Sequence, residues 1–254
     1  MAEEPEHRGG ELELFAEARH WKAYLADVLA PHLRGHVLEV GAGIGSTLRV
    51  LVPARGVEAW TALEPDPRLR AQLEGVAREV EASRRIPVRA LAGTLADLPG
   101  AERFDTIVYV DVLEHIADDH AELGRAFERL RPGGRVIVLA PAHAALFSEF
   151  DRQVGHHRRY DRSSLSALAP PGTRLLVLRY LDSVGLLASL GNRLLLRAPL
   201  PSRGQIRLWD GILVPASRML DSLSLGRLGK SIVAVWERGV ATPGVSSRGT
   251  APVA

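Results

Sequence analysis

Three glycines, Gly41, Gly43 and Gly45, follow the apolar run Val37-Leu38-Glu39-Val40, and Ser46 comes next. A strand that runs into such a turn and then opens a helix lets backbone approach a ligand closely. The first helical turn adds unpaired N–H donors. A pyrophosphate site prefers Gly-x-Gly-x-x-Gly/Ala; here the position after Gly45 is Ser46. Glu39 sets a carboxylate in the strand end, where it repels a pyrophosphate but suits an ammonium. Glu64 lies 19 residues beyond Gly45, at the end of a second apolar run. A carboxylate there can accept from both hydroxyls of a ribose. Glu39 and Glu64 together suit a nucleoside with a cationic tail and no phosphate. Plainer alternatives stand beside each: a tight strand–helix turn, a strand-end acid capping backbone N–H groups at Glu39, and a solvated loop acid before Pro65 at Glu64.

The elements that must position these residues read off the apolar pattern. Strands are expected at 36–40, 57–63, 86–91, 106–110, 136–140, 174–180 and 231–236. Helices are expected along 15–29, 46–51, 66–80, 117–130, 163–168, 184–196 and 209–223. Pro132-Gly133-Gly134 is the expected stop of the fourth. Such alternation argues an α/β fold with a parallel sheet covered by helices on both faces. One domain is expected over 11–239, with a helical lid or insertion at about 183–225. Residues 1–10 and 240–254 read as disordered tails.

Composition narrows the classes. The chain has 254 residues, 46% hydrophobic, enough to bury one sizeable core and to exclude general disorder. It has no cysteine, which removes disulfides, thiolate nucleophiles and Cys-type zinc sites and fits a reducing cytoplasm. Net charge is only +2 and aromatics are 5%, so the cation-plus-stacking surface of a nucleic-acid binder is not expected. Arg is the default cation; only Lys22 and Lys230 are lysines. No signal peptide and no membrane-spanning run are expected, and the chain reads as cytoplasmic.

From residue 35 to 140 the chain resembles a class I S-adenosylmethionine-dependent methyltransferase. The glycine turn carries the resemblance first. Ala92-Gly93-Thr94-Leu95-Ala96-Asp97-Leu98-Pro99 continues it, then Phe104 to His115, then Arg131-Pro132-Gly133-Gly134. The resemblance implies a Rossmann-like seven-stranded sheet, mostly parallel, with an antiparallel last strand, and S-adenosyl-L-methionine as cofactor. By position, Gly41, Ala42, Gly43 and Gly45 approach the methionine portion and Glu39 helps hold its amino group. Glu64, with Pro65 beside it, takes the ribose. Thr94 and Leu95 contact adenine, and Asp111 and Val112 sit near the methionine end. Asp97 reads as a turn residue.

The acceptor is less defined. Asp111-Val112-Leu113-Glu114 stands where base-amino methyltransferases carry an Asn/Asp-Pro-Pro-aromatic motif, which disfavours nucleobase amines. The informative segment is Ala142–Arg162, a long connection after the fifth strand and an expected lid. Its Gly155-His156-His157-Arg158-Arg159-Tyr160 string resembles a bacterial type 11/12-like subset with a Gly-His-aromatic-Arg-Arg-Tyr loop. A hydroxyl acceptor must lose a proton, and His143, His156 and His157, backed by Tyr160, are the candidate catalytic groups. Arg158 and Arg159 are candidates to hold a substrate carboxylate or phosphate, with ion pairs to Asp151 and Asp161 as the alternative. His115 is a further substrate-side candidate. His156 and His157 are adjacent and point apart in regular structure, so no metal is expected. The expected function is methylation of a small-molecule acceptor, O-directed. The rivals are a lipid-linked or membrane-proximal acceptor, a non-catalytic S-adenosylmethionine-binding protein, and an NAD oxidoreductase. The last is disfavoured by Ser46, by Glu39 and by the lack of a Tyr-x-x-x-Lys pair. The helices at 184–196 and 209–223 are expected to roof the acceptor pocket; the alternative is contact with a membrane surface or a second subunit. A monomer or homodimer is expected.

Overall fold

The structure, a computed structural model, describes residues 15–191 and 202–239. The expected tails and residues 192–196 of the expected sixth helix lie outside the described residues.

All seven expected strands are present: β1 (Gly35–Val40), β2 (Val57–Glu64), β3 (Val88–Ala92), β4 (Phe104–Val110), β5 (Leu130–Pro141), β6 (Thr173–Leu181) and β7 (Ser231–Arg238). They form one seven-stranded sheet in the order β3-β2-β1-β4-β5-β7-β6. The first five pair in parallel, while β7 runs antiparallel to both β5 and β6. The fold is the mixed Rossmann-like sheet of the expectation.

Strand residues alternate between two cores, as a period of two requires. Val37, Trp60, Val108, Ile137 and Val233 face one side. There they meet α1 (Arg19–Leu29), α2 (Ser46–Leu51) and α3 (Pro67–Arg84) through Leu25, Leu48 and Leu73. Leu38, Ile107, Val138 and Ile232 face the other, against Leu123, Ala126 and Phe127 of α4 (Asp119–Glu128). Two apolar layers on a sheet buried from both sides explain why these strands read as near-continuous β-branched runs.

Several boundaries differ from the sequence reading. Helix α4 starts at Asp119 because Asp118 caps it, its carboxylate accepting from the Ala121 N–H. Pro132-Gly133-Gly134 does not stop that helix. It lies inside β5, where the register against β4 shifts between Phe104 and Thr106. The third strand starts after Pro87, which has no N–H for the ladder. The stretch 142–162 holds α5 (Glu149–Val154), capped by Ser148 and Asp151, and a parallel bridge between Ala142 and Tyr160. After α6 (Arg162–Ser166) and β6 come α7 (Ser183–Gly191), α8 (Arg203–Leu208) and α9 (Val214–Leu223). A π-helical turn, Trp209–Leu213, joins α8 to α9, so the helix expected from Trp209 begins six residues earlier.

Three buried acids pin this helical insertion to the sheet body. Asp182 accepts from Trp209 Nε1 at 2.8 Å, Ser217 Oγ at 2.7 Å and the Gly185 N–H at 3.0 Å. Asp221 accepts from the Tyr24 hydroxyl at 2.9 Å and the Asp182 N–H at 2.7 Å. Asp210 accepts from the Trp21 N–H at 2.8 Å.

Candidate active site

The sheet order reverses between β1 and β4, and open α/β folds bind ligands outside the carboxyl ends of the strands at that point. Gly41–Gly45 leave β1 there, and Asp111-Val112 leave β4. The two turns touch. A Cβ on Gly41, whose φ is +70°, would lie 2.7 Å from Val112 Cγ2. No side chain fits, which is the local reason for glycine. Gly43 is also left-handed, at φ +55°. Its N–H donates to Glu64 Oε2 at 2.7 Å, and the Asp66 N–H donates to Glu64 Oε1 at 2.9 Å. The ribose candidate and the glycine turn, 21 residues apart in sequence, are therefore one site. Burial raises the Glu64 carboxyl above its ordinary value, against the pull of these two N–H donors.

Glu39 lies deeper, 2% exposed, and accepts from Trp60 Nε1 at 3.0 Å. Burial pushes its carboxyl up to about 8, with the Trp60 bond opposing and the Glu64 charge adding. At that value the carboxyl favours its protonated form at neutral pH. Thr94 caps the short turn Leu95–Asp97: its N–H and hydroxyl both donate to Asp97, so Asp97 is a turn residue. Leu95 is fully buried, Ala42 is buried and Pro65 exposed. The Gly93 N–H reaches the Glu64 carbonyl at 3.3 Å, which brings the end of β3 alongside the acid.

Beyond the glycine turn lies a cluster of charge. Asp111, at φ +53°, keeps part of its surface open to solvent, yet the surrounding protein crowds its carboxyl and raises it, with His156, Lys230 and Arg159 pulling the other way. Lys230 lies over the Trp209 ring, 5.7 Å from its centroid. Desolvation lowers its ammonium. Lys230, one of the two lysines, is given no role by the sequence reading, although a lysine among so many arginines just before the last strand is a usable signal.

The histidine segment is tied down. Arg159 forks onto the fully buried Asp151, with Nε–Oδ1 at 2.7 Å and Nη2–Oδ2 at 3.0 Å. His156 Nδ1 meets the same Asp151 at 2.8 Å, leaving Nε2 3.8 Å from Glu114 Oε1. The His156 ring packs edge-on to His115, centroids 4.6 Å apart. Arg158 pairs with Asp119 at 2.6 Å and donates to the Ala117 carbonyl. Both arginine forks expected for substrate are thus occupied by protein oxygens. Asp161 caps α6 instead of pairing with either arginine. The Tyr160 hydroxyl is buried on Asp119 at 2.8 Å, and burial raises it far above the usual phenol range. His143, at φ +63°, has Nε2 2.9 Å from the Gly229 carbonyl and stacks on Tyr180. The His157 N–H donates to the Glu114 carbonyl, and the residue is exposed. Among the described residues, Glu114, His115 and His156 have ligand atoms within 4.8 Å of one another, a spacing a metal ion could use. The ring that packs on His156 is that of His115.

The family described as "Methyltransferase domain" matches residues 12–211. The chain belongs to that family. The family uses S-adenosylmethionine. A demethylmenaquinone methyltransferase of Tropheryma whipplei is 30% identical over 134 residues, 52% of this chain and 53% of its own length. A ubiquinone biosynthesis O-methyltransferase of Paramagnetospirillum magneticum is 30% identical over 137 residues, 51% of each chain. The chain therefore spans about half the length of the curated relatives it matches. A geranyl diphosphate methyltransferase solved with S-adenosylmethionine superposes with a TM-score of 0.60 at 16% identity, over 94% of this chain and 93% of that one. At that identity the likeness speaks for the fold. Among the described residues no helix is long and apolar enough to cross a membrane.

Proposed function

We propose that this methyltransferase-family chain transfers the methyl group of S-adenosyl-L-methionine to an oxygen of a small-molecule acceptor in the cytoplasm. The observation that supports the reading is the 2.7 Å bond from the Gly43 N–H to Glu64, which holds the glycine turn against the candidate ribose acid. In this reading Gly41, Ala42, Gly43 and Gly45 line the methionine portion. Glu64, Pro65, Thr94 and Leu95 line the nucleoside, and Asp111 and Val112 lie at the sulfonium end. Methyl transfer is an in-line displacement from an already activated sulfonium, so holding the acceptor oxygen in line supplies much of the rate. An acceptor hydroxyl must also lose its proton. His156 is the candidate base with the most defined orientation, since Asp151 fixes its Nδ1 and turns Nε2 toward the Glu114 carboxyl, 3.8 Å away. Lys230, over Trp209, adds a cation that acts on Asp111.

Calorimetry with S-adenosylmethionine, S-adenosylhomocysteine and NAD tests the cofactor. The first two bind; binding of NAD in their place overturns the reading. Glu64→Ala is expected to weaken S-adenosylmethionine by about 1–3 kcal/mol, the scale of lost charge-assisted hydrogen bonds. An unchanged affinity would remove Glu64 from the site.

Glu39 makes a separate prediction. Its carboxyl, raised to about 8, is protonated at pH 7, and pairing with the ammonium of the cofactor ionises it. About one proton per cofactor is therefore released at pH 7, and apparent affinity falls roughly tenfold for each unit below the raised value. Calorimetry in buffers of different ionisation enthalpy reads the proton directly. Glu39→Gln should abolish the release, and a wild-type protein that releases none places the ammonium elsewhere.

A further inference from the structure

Ten large apolar residues are exposed among the described residues, and nine of them lie between Leu187 and Leu228. The elements that carry them pack together: α7 lies along α9, and the π-helical turn joins α9 to α8. Leu208, Ile212, Pro215, Met219 and Leu223 recur along this helix at spacings of four, three, four and four, so they form one stripe. Ile212 is 60% exposed, Met219 67% and Leu223 75%. The opposite side of the same helix carries Trp209, Asp210, Val214, Ser217 and Asp221, which face the protein.

The charges sort the same way. Between Ser202 and Lys230 the acids are Asp210 and Asp221, and both are buried on internal donors. The cations Arg203, Arg207, Arg218 and Arg227 are all exposed. Arg207 and Arg218 have partners on the body, Glu17 and Asp27, both themselves open to solvent. The carboxylates of the insertion are therefore turned inward, and what it exposes is leucine-rich, with arginines at the edges of the stripe and Arg207 and Arg218 on the side that meets the body. An apolar stripe with arginines along its edge and at its ends matches the boundary of an anionic bilayer, where apolar side chains enter the acyl edge and guanidiniums meet lipid phosphates. The chain as a whole carries only +2, so this face is a local concentration of charge.

We propose that the outer face of α7–α9 docks on the surface of an anionic phospholipid bilayer. Trp209, on the inner side of the same helix, lies against Lys230 at the charge cluster beyond the glycine turn. The docked helix is thus the one that reaches the charge cluster from its inner side, and the acceptor class that fits a chain held at a bilayer is a lipid-soluble hydroxyl compound. That last step rests on the methyl-transfer reading above; the docking itself does not.

Flotation of the full chain with vesicles tests it, without cofactor or acceptor. Vesicles of phosphatidylcholine with about a third phosphatidylglycerol should carry the protein upward, pure phosphatidylcholine far less, and high salt should release it. Arg203→Gln with Arg227→Gln removes two cations and should lower the partition coefficient roughly 30-fold. The triple exchange Ile212→Ser, Met219→Ser and Leu223→Ser should abolish flotation. All five positions are exposed, and circular dichroism with S-adenosylmethionine calorimetry on each variant checks that the body is intact. Equal partition of wild type and variants overturns the proposal, as does failure of the wild type to float. A wild-type dimer by sedimentation that the triple exchange dissociates, with no flotation, assigns the face to a second copy instead. Retained cofactor binding without flotation sinks the docking and leaves the methyl-transfer reading standing; flotation without cofactor binding does the reverse.

Discussion

Asp151→Ala lowers the free energy of unfolding by about 3–5 kcal/mol, the scale for removing one partner of a buried ion pair. Asp151 is fully buried and accepts from Arg159, from His156 and from the Ser148 hydroxyl and N–H. Without it the Arg159 guanidinium, 8% exposed, keeps a full charge with only the Ala142 carbonyl at 3.5 Å. Helix α5 also loses its cap. The pH dependence has a definite sign. Burial opposes ionisation of Asp151, but the bonds from His156 and Arg159 and the guanidinium charge outweigh it and hold the carboxyl well below the usual range. A depressed folded value means the unfolded chain binds the proton more readily. The contribution is thus fully present above the unfolded carboxylate value of about 3.9 and fades as pH falls toward the folded one. Urea unfolding of wild type and variant at pH 7 and in acid checks both parts. Equal midpoints at pH 7 would show that the loop is not anchored through this pair.

How far the sequence alone reached follows from which contacts are local. The glycine turn was legible because its chemistry is carried by neighbours, Glu39 to Ser46, and because Glu64 ends the next strand. The seven strands were legible because a sheet buried on both faces leaves uninterrupted β-branched runs. Pro132-Gly133-Gly134 misled because glycine and proline also mark a strand whose register shifts, and only the pairing of β4 with β5 distinguishes the two. The start of the α8–α9 helix was missed since Ser202 with Gln205 forms its capping box after a proline-rich stretch. The partners of the histidine segment were out of reach for a different reason. Arg158 chose Asp119, 39 residues back, over the adjacent acids, and His156 packs on His115 across 41 residues. Such pairings depend on how β4, β5 and their loops meet in space, which no local period encodes. The same holds for Lys230 over Trp209.

The geometry also ranks the three histidines. His143 Nε2 is engaged by the Gly229 carbonyl and its ring by Tyr180. His157 is exposed, with only its backbone fixed. His156 has one nitrogen oriented by a buried carboxylate, the arrangement that fixes tautomer and direction in a general base. His156→Ala is therefore expected to lower kcat by roughly 10²- to 10⁴-fold, with S-adenosylmethionine affinity nearly unchanged and the acidic limb of the pH–rate profile lost. His143→Ala and His157→Ala should retain that limb. Assays against a panel of phenols, catechols and quinols from pH 5 to 9 read all three variants. Cofactor affinity in each separates chemistry from folding. If His156→Ala keeps both its rate and its pH profile, the imidazole is structural, held between Asp151 and Glu114. Methyl transfer then proceeds by alignment of an acceptor that arrives already ionised.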